Sequence, residues 1–165
     1  MPRYECINPD DFLQTPKGRV WTPERNREAW EKSFVSVRTA LTALLQEADT
    51  GQPPLLYVVC GLQGAGKSTW IKANGDRMAP CVFFDAALPR AKHRAPLIAI
   101  ARDLGCAVRA VWINTPLTVA LERNASRNHD ERVPEDSIRS VNAQFEAPST
   151  TEGFEEVKEI VETHI

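Results

Sequence analysis

The stretch Leu55-Leu56-Tyr57-Val58-Val59-Cys60-Gly61-Leu62-Gln63-Gly64-Ala65-Gly66-Lys67-Ser68-Thr69 decides the fold. Leu55 to Cys60 is a continuous apolar run, the pattern of a strand buried on both faces of a sheet. Gly61 to Ser68 fits G-x-x-x-x-G-K-[ST] in full. Glycines let the backbone bend until successive N–H groups converge on phosphate oxygens, beside a helix N-terminus carrying partial positive charge. Lys67 adds a full charge toward the β- and γ-phosphates, and Ser68 a hydroxyl for Mg²⁺. Gly61, Leu62, Gln63, Gly64, Ala65, Gly66, Lys67, Ser68 and Thr69 are therefore expected to bind a nucleotide's phosphates. A plain glycine-rich turn, the competing reading, leaves the Lys67-Ser68 pair and the buried strand before it unexplained.

Working outward, strand-like and helix-like segments alternate. The turn leads to a short helix over about 66–74, ended by Asn74-Gly75. Cys81-Val82-Phe83-Phe84-Asp85 reads as a second strand, 91–104 as a helix stopped by Gly105, and Val108 to Ile113 as a third strand. Pro116 opens a helix reaching Arg127, Pro134 opens one to about Phe145, and the tail from Val157 to Ile165 reads equally as strand or helix. Upstream, Thr22-Pro23-Glu24 is a helix start. Trp30, Phe34, Val37, Leu41, Leu44, Leu45 and Ala48 then recur at three- and four-residue steps, an apolar stripe broken by Asp49-Thr50-Gly51-Gln52-Pro53-Pro54. Residues 1–20, polar and proline-broken, read as a surface arm. The expected class is α/β: a three-layer P-loop NTPase fold with a small, mostly parallel sheet, an arginine-bearing lid at about 116–145 and an N-terminal helical extension. Residues 1–54, arm and helix, should pack on a core of 55–165 as one structural domain.

Length and composition agree. The 165 residues are 42% hydrophobic and 25% charged, with a formal charge of −2, the make-up of one ordinary globular unit. That balance lacks the overall basic field of a polybasic binder. No apolar run approaches the roughly 18 residues of a membrane span, and Met1-Pro2-Arg3-Tyr4-Glu5-Cys6 has no targeting core. Cys6, Cys60, Cys81 and Cys106 are too widely spaced for CxxC chemistry, and His93, His129 and His164 too scattered for a transition-metal site. The expectation is a reduced, cytoplasmic protein without a membrane partner; nothing in the sequence sets an oligomeric state.

Among nucleotide users, a GTPase would carry an NKxD-type element, which this chain lacks, and a motor needs more chain, so a small kinase fits best. Asp85 closes its strand at the sheet edge where α/β folds bind ligands. It is open to two duties, holding Mg²⁺ with Ser68 or taking the proton of an acceptor hydroxyl, and to a third reading as a helix cap. Arg123 and Arg127 share one helix face, and Arg132 follows in the next loop. Arginine forks on a closing lid suit the spread charge of a transferring phosphoryl group. Arg90, Lys92, His93 and Arg94 crowd a helix start, where Arg90 and Arg94, with Arg132, could meet an acceptor's phosphates; a solvated helix start is the alternative.

From the phosphate loop onward, over about residues 55–157, the chain resembles the kinase domain of polynucleotide 5′-hydroxyl kinases, including the kinase–phosphatase enzymes. The likeness rests on Gly61 to Trp70, Phe84-Asp85 to Pro89-Arg90, and Leu121-Glu122-Arg123-Asn124-Ala125-Ser126-Arg127. Arg132-Val133-Pro134, Gln144 to Pro148 and Glu152-Gly153-Phe154 add to it. The resemblance implies that Lys67 and Ser68 bind ATP phosphates and Mg²⁺, and that Arg127 with Arg123 stabilises the transferring phosphoryl. It implies transfer to a nucleic-acid or nucleotide 5′-OH. One departure stands out. That family carries a strand–helix unit with a D-x-x-R motif between the phosphate-loop helix and the Asp85 strand, and here only residues 73–81 separate Lys72 from Val82. Either Asp85 serves as base and metal partner, with Arg90 in the lost arginine's place, or the acceptor differs. Small-molecule phosphotransferases of the zeta-toxin-like type, acting on sugars, nucleotide sugars or antibiotics, are the second reading. A non-catalytic ATP-binding module is the third.

Overall fold

The computed structural model describes residues 3–47 and 53–161. Ala48, residues 49–52 of the proline-ended break, and the last four residues of the tail lie outside the described residues. A five-stranded sheet forms the middle layer, in the order β1 (Tyr4–Ile7), β5 (Cys81–Asp85), β4 (Leu55–Cys60), β6 (Ala107–Asn114), β7 (Glu156–Val161). Every pairing in it is parallel. Strands β2 (Gln14–Thr15) and β3 (Gly18–Arg19) make a separate small hairpin. The helices are α1 (Pro23–Glu47), α2 (Lys67–Met78), α3 (Ala91–Leu104), α4 (Leu117–Ala125) and α5 (Glu135–Gln144).

The continuous apolar strands divide by the two-residue period of the pleat. Leu56, Val58 and Cys60 of β4, with Val82 and Phe84 of β5 and Val108 and Ala110 of β6, face a cluster completed by Val37, Leu41 and Leu44 of α1 and Leu97, Ile98 and Ala101 of α3. Tyr57, Val59, Cys81, Phe83, Val111 and Ile113 face the other side, with Ile71 of α2, Ala120 of α4 and Ile138 of α5. This is the α/β, three-layer P-loop NTPase-like arrangement that the strand–helix alternation predicts. No helix among the described residues is long and apolar enough to cross a membrane, and all four cysteines are free, Cys60, Cys81 and Cys106 being buried.

Three segments differ from the sequence reading. The N-terminal arm is not loose surface chain: Tyr4–Ile7 adds a parallel edge strand beside β5, in register Tyr4 with Cys81 through Ile7 with Phe84. Four residues alternate too briefly to announce a strand, and the exposed edge of β5 supplies the pairing. Helix α2 runs through Asn74-Gly75 to Met78 because Gly75 stays helical for a packing reason; a Cβ there would run into the Tyr4 ring. Helix α4 stops at Ala125, short of the expected Arg127; the tail, open between strand and helix, forms strand β7, paired with β6.

Of the α1 stripe, Val37 and Leu41 are fully buried, while Trp30 and Phe34 are half-buried, each stacked or tilted against Phe84 at 5.7 and 6.0 Å. Helix α1 is thus part of the same apolar layer as the sheet. Leu41→Ala should cost about 2–5 kcal/mol, as buried leucine truncations do. A urea titration should show a lower midpoint in one cooperative transition for the whole chain.

Candidate functional site

At the end of β4 the chain turns through Gly61 and enters α2 at Lys67. The turn touches its neighbours through backbone: a Cβ at Gly61 would sit 2.6 Å from the Ile113 carbonyl oxygen, and one at Gly64 2.5 Å from that of Ala120. Gly64 also has φ +83°, where a side chain is strained. Leu62 and Ala65 point down into the apolar cluster, so they contribute backbone to the loop while Gln63, Gly64, Gly66, Lys67, Ser68 and Thr69 line the space above. The loop is pinned from behind at one atom. The Ala65 carbonyl accepts from Thr115 Oγ1 and from the Arg123 guanidinium, each at 2.8 Å.

Lys67 is buried, and its Nζ donates to the carbonyls of Gly61 at 3.0 Å and Leu62 at 2.8 Å. Burial lowers its pKa from the usual lysine range, with the Asp85 carboxylate working in the opposite direction and the Arg127 charge in the same one. Ser68 Oγ donates to Asp85 Oδ2 at 2.5 Å. Asp85, at the end of β5, is only 2% exposed. A hydroxyl and a carboxylate oxygen in contact at a phosphate loop are hard oxygen donors of the kind Mg²⁺ takes, so the residues fit that ion.

These groups open onto a cavity of about 800 Å³, within the size range of small-molecule sites. Arg127 and Arg132 of the loop between α4 and α5 line it, and the Arg132 guanidinium donates to the Arg127 carbonyl at 3.2 Å. That loop is held by Asn124, whose amide donates to the Val133 carbonyl and accepts from the Val133 N–H, at 2.6 and 2.9 Å.

Other residues singled out in the sequence fall elsewhere. Arg123 is anchored on the underside of the phosphate loop and does not line the cavity. Arg94 is a correction: it is fully buried, forks onto both Glu152 carboxylate oxygens at 2.9 and 3.0 Å, and donates to the Leu88 carbonyl at 2.8 Å. Successive positions at a helix start spread around its whole circumference, so one of the crowded cations turns inward and takes the half-buried Glu152 carboxylate. Arg90 is exposed, 3.8 Å from Glu146, and lies off the cavity wall; His93, which accepts the Arg90 backbone N–H at Nδ1, is the member of that cluster on the wall. Burial and the neighbouring cations lower the His93 pKa.

Sequence reasoning missed the segment after β1. Asn8, Asp10, Arg19, Trp21, Asn26 and Trp30 all line the cavity. Their signal was faint, an isolated Trp21 in a polar stretch directly before the α1 cap. Thr115 and Asn124 were missed as well, being neither charged nor part of a recognised motif.

The model of an AAA domain (AAA_33) matches residues 74–148, less than half of the chain, beginning inside α2 just beyond the phosphate loop. No curated protein matches. Among solved structures, the crystal structure of AvrRxo1-ORF1:AvrRxo1-ORF2 with sulphate ions is similar at TM-score 0.45 and 19% identity, covering 73% of this chain and 56% of that one. The crystal structure of AvrRxo1-ORF1:-ORF2 with ATP is similar at TM-score 0.47 and 18% identity, covering 75% of this chain and 57% of that one. The chain thus corresponds to little more than half the length of these structures.

Because the Gly64 Cα faces fixed backbone of α4, Gly64→Ala forces the loop to move. Calorimetry with Mg·AMP-PNP should show nucleotide affinity falling by about tenfold or more, while circular dichroism retains the native helix content.

Proposed function

We propose that this chain is an ATP-dependent phosphotransferase that moves the γ-phosphoryl of Mg·ATP to an alcohol hydroxyl, of the nucleotide 5′-OH kind. One observation carries the reading: Lys67, the Ser68–Asp85 pair and the arginines Arg127 and Arg132 come from three separate segments and share one cavity. A structural ion-pair cluster has no need of a phosphate-shaped backbone turn between them. The four free cysteines suit a reducing compartment such as the cytoplasm.

Phosphoryl transfer asks little covalent chemistry of a protein; position and charge stabilisation lower the barrier. The glycine turn and the N-terminus of α2 bind the β- and γ-phosphates. Lys67 has three N–H donors; two go to Gly61 and Leu62, leaving the third for a phosphate oxygen. Ser68 and Asp85 would hold Mg²⁺, which would supply positive charge to offset that of the phosphates. Arg127, on the lid, offers its guanidinium to the transferring group. The acceptor oxygen forms its bond to γ-phosphorus as the bond to the β–γ bridging oxygen breaks, ADP leaves, and the hydroxyl's proton passes to Asp85. Asp85 thus serves both duties.

The small-molecule reading of the zeta-toxin-like type, with a sugar, nucleotide sugar or antibiotic as acceptor, has one observation in its favour. The hairpin of β2 and β3 meets the lid, where the Arg19 backbone N–H donates to Asp130 Oδ2 at 3.2 Å. That contact bounds the cavity and suits an acceptor of small size over a long polynucleotide.

Radiolabelled γ-ATP offered in parallel with a 5′-OH oligonucleotide, nucleosides and nucleotides, UDP-sugars and aminoglycosides decides among these. Label on a nucleoside, nucleotide or oligonucleotide supports the first reading, and label on a sugar or drug the second. ATP binding without transfer to any of them supports a non-catalytic ATP-binding module. With the labelled acceptor found, Lys67→Ala should abolish transfer without lowering the melting temperature. Asp85→Asn should slow transfer by roughly 10²–10⁴-fold while AMP-PNP still binds; full transfer by the Asn variant contradicts the role given to Asp85.

A further inference from the structure

Among the described residues, two buried side-chain polar atoms have no hydrogen-bond partner, Arg19 Nε and Gln63 Oε1, and both residues line the same cavity. Buried donors and acceptors are nearly always satisfied, so two orphans lining one cavity call for ligand groups that supply their partners. Gln63 belongs to the phosphate loop. Arg19 does not; it comes from the segment following β1, which has no part in cradling a triphosphate.

The sheet order places that segment. Along the carboxyl edge the strands run β1, β5, β4, so the three features they end in follow the same order: the segment after Ile7, then Asp85, then the phosphate loop. Asp85 therefore stands between the loop and the point where that segment begins. Further along that segment, Arg19 and Trp21 line the same cavity as Asp85 and the phosphate loop. Arg19 is loosely paired, its NH1 3.6 Å from Asp10 Oδ2, which leaves the guanidinium fork for an anion. Trp21 is 61% exposed at the rim of the cavity, an indole face free for a planar ring. The contact of Arg19 N–H with Asp130 closes the far side against the lid.

We propose that the segment after β1 is the acceptor subsite, with Arg19 binding a phosphate and Trp21 stacking on a base, and that the acceptor is a mononucleotide whose 5′-hydroxyl is free. The assignment rests on the kinase reading above and deepens it. Arg19 and Trp21 are positioning residues; they fix where the hydroxyl lies relative to Asp85.

The test uses the full chain saturated with Mg·AMP-PNP, so that the donor side is filled. Uridine 3′-monophosphate and uridine, both with a free 5′-hydroxyl, are titrated in by calorimetry. The expected result is that the phosphorylated probe binds about tenfold or more tightly than uridine. Arg19→Ala should erase that advantage, Arg19→Lys should keep part of it, and AMP-PNP affinity should stay within about twofold in both. Trp21→Ala, at an exposed position, should weaken both probes by a similar factor with native circular dichroism. Equal affinity for the two probes, no binding of either, or an advantage that survives Arg19→Ala overturns the subsite while leaving the kinase reading standing. Failure of the wild-type chain to bind AMP-PNP overturns that reading and the subsite with it.

Discussion

The hydrogen bond from Ser68 Oγ to the buried Asp85 carboxylate joins the first turn of α2 to the end of β5. It brings together two strands' worth of sequence that have only the sheet in common, and everything in the site is arranged around it. A carboxylate at 2% exposure is costly to keep charged unless partners surround it. Here a hydroxyl donates to it directly, and the Lys67 ammonium, itself held against desolvation by two carbonyls, lies within its field. The same low-dielectric setting that makes these charges expensive would, under the proposed function, make them effective toward a phosphate and a divalent cation.

The surrounding structure holds that arrangement still. Thr115 and Arg123 fix the Ala65 carbonyl, the glycines allow the loop to lie directly on Ile113 and Ala120, and Asn124 ties the loop between α4 and α5 by two bonds to Val133. On the other side, β1 adds a strand next to β5 and carries the chain out over the cavity before α1 brings it back onto the sheet through Phe84. The N-terminal residues therefore do two things at once. They cover the apolar face that β5 and α3 would leave open, and they bring Asp10, Arg19 and Trp21 to the cavity.

Much of this was legible in the sequence for physical reasons that can be named. A phosphate loop needs its glycines and its Lys-Ser pair at fixed spacing, and a doubly covered strand needs an unbroken apolar run, so Leu55 to Ser68 announces itself. Asp85 was readable because it ends such a run. Strand β1 was not, since its partner strand determines its structure more than its own four residues do. The inward turn of Arg94 was equally hidden: its partner Glu152 is distant in sequence, and a charged residue next to Arg90, Lys92 and His93 looks like a surface cluster until the packing is seen. Arg19 and Trp21 escaped notice because a cavity wall built from an irregular segment has no period to read.

The most direct test of the central claim is a crystal structure of the chain with Mg·AMP-PNP. The account predicts the β-phosphate inside the Gly61–Ser68 turn, Lys67 Nζ on a phosphate oxygen, and the metal ligated by Ser68 with Asp85 beside it. Nucleotide bound elsewhere on the molecule, or a metal with no link to Ser68 and Asp85, would contradict it.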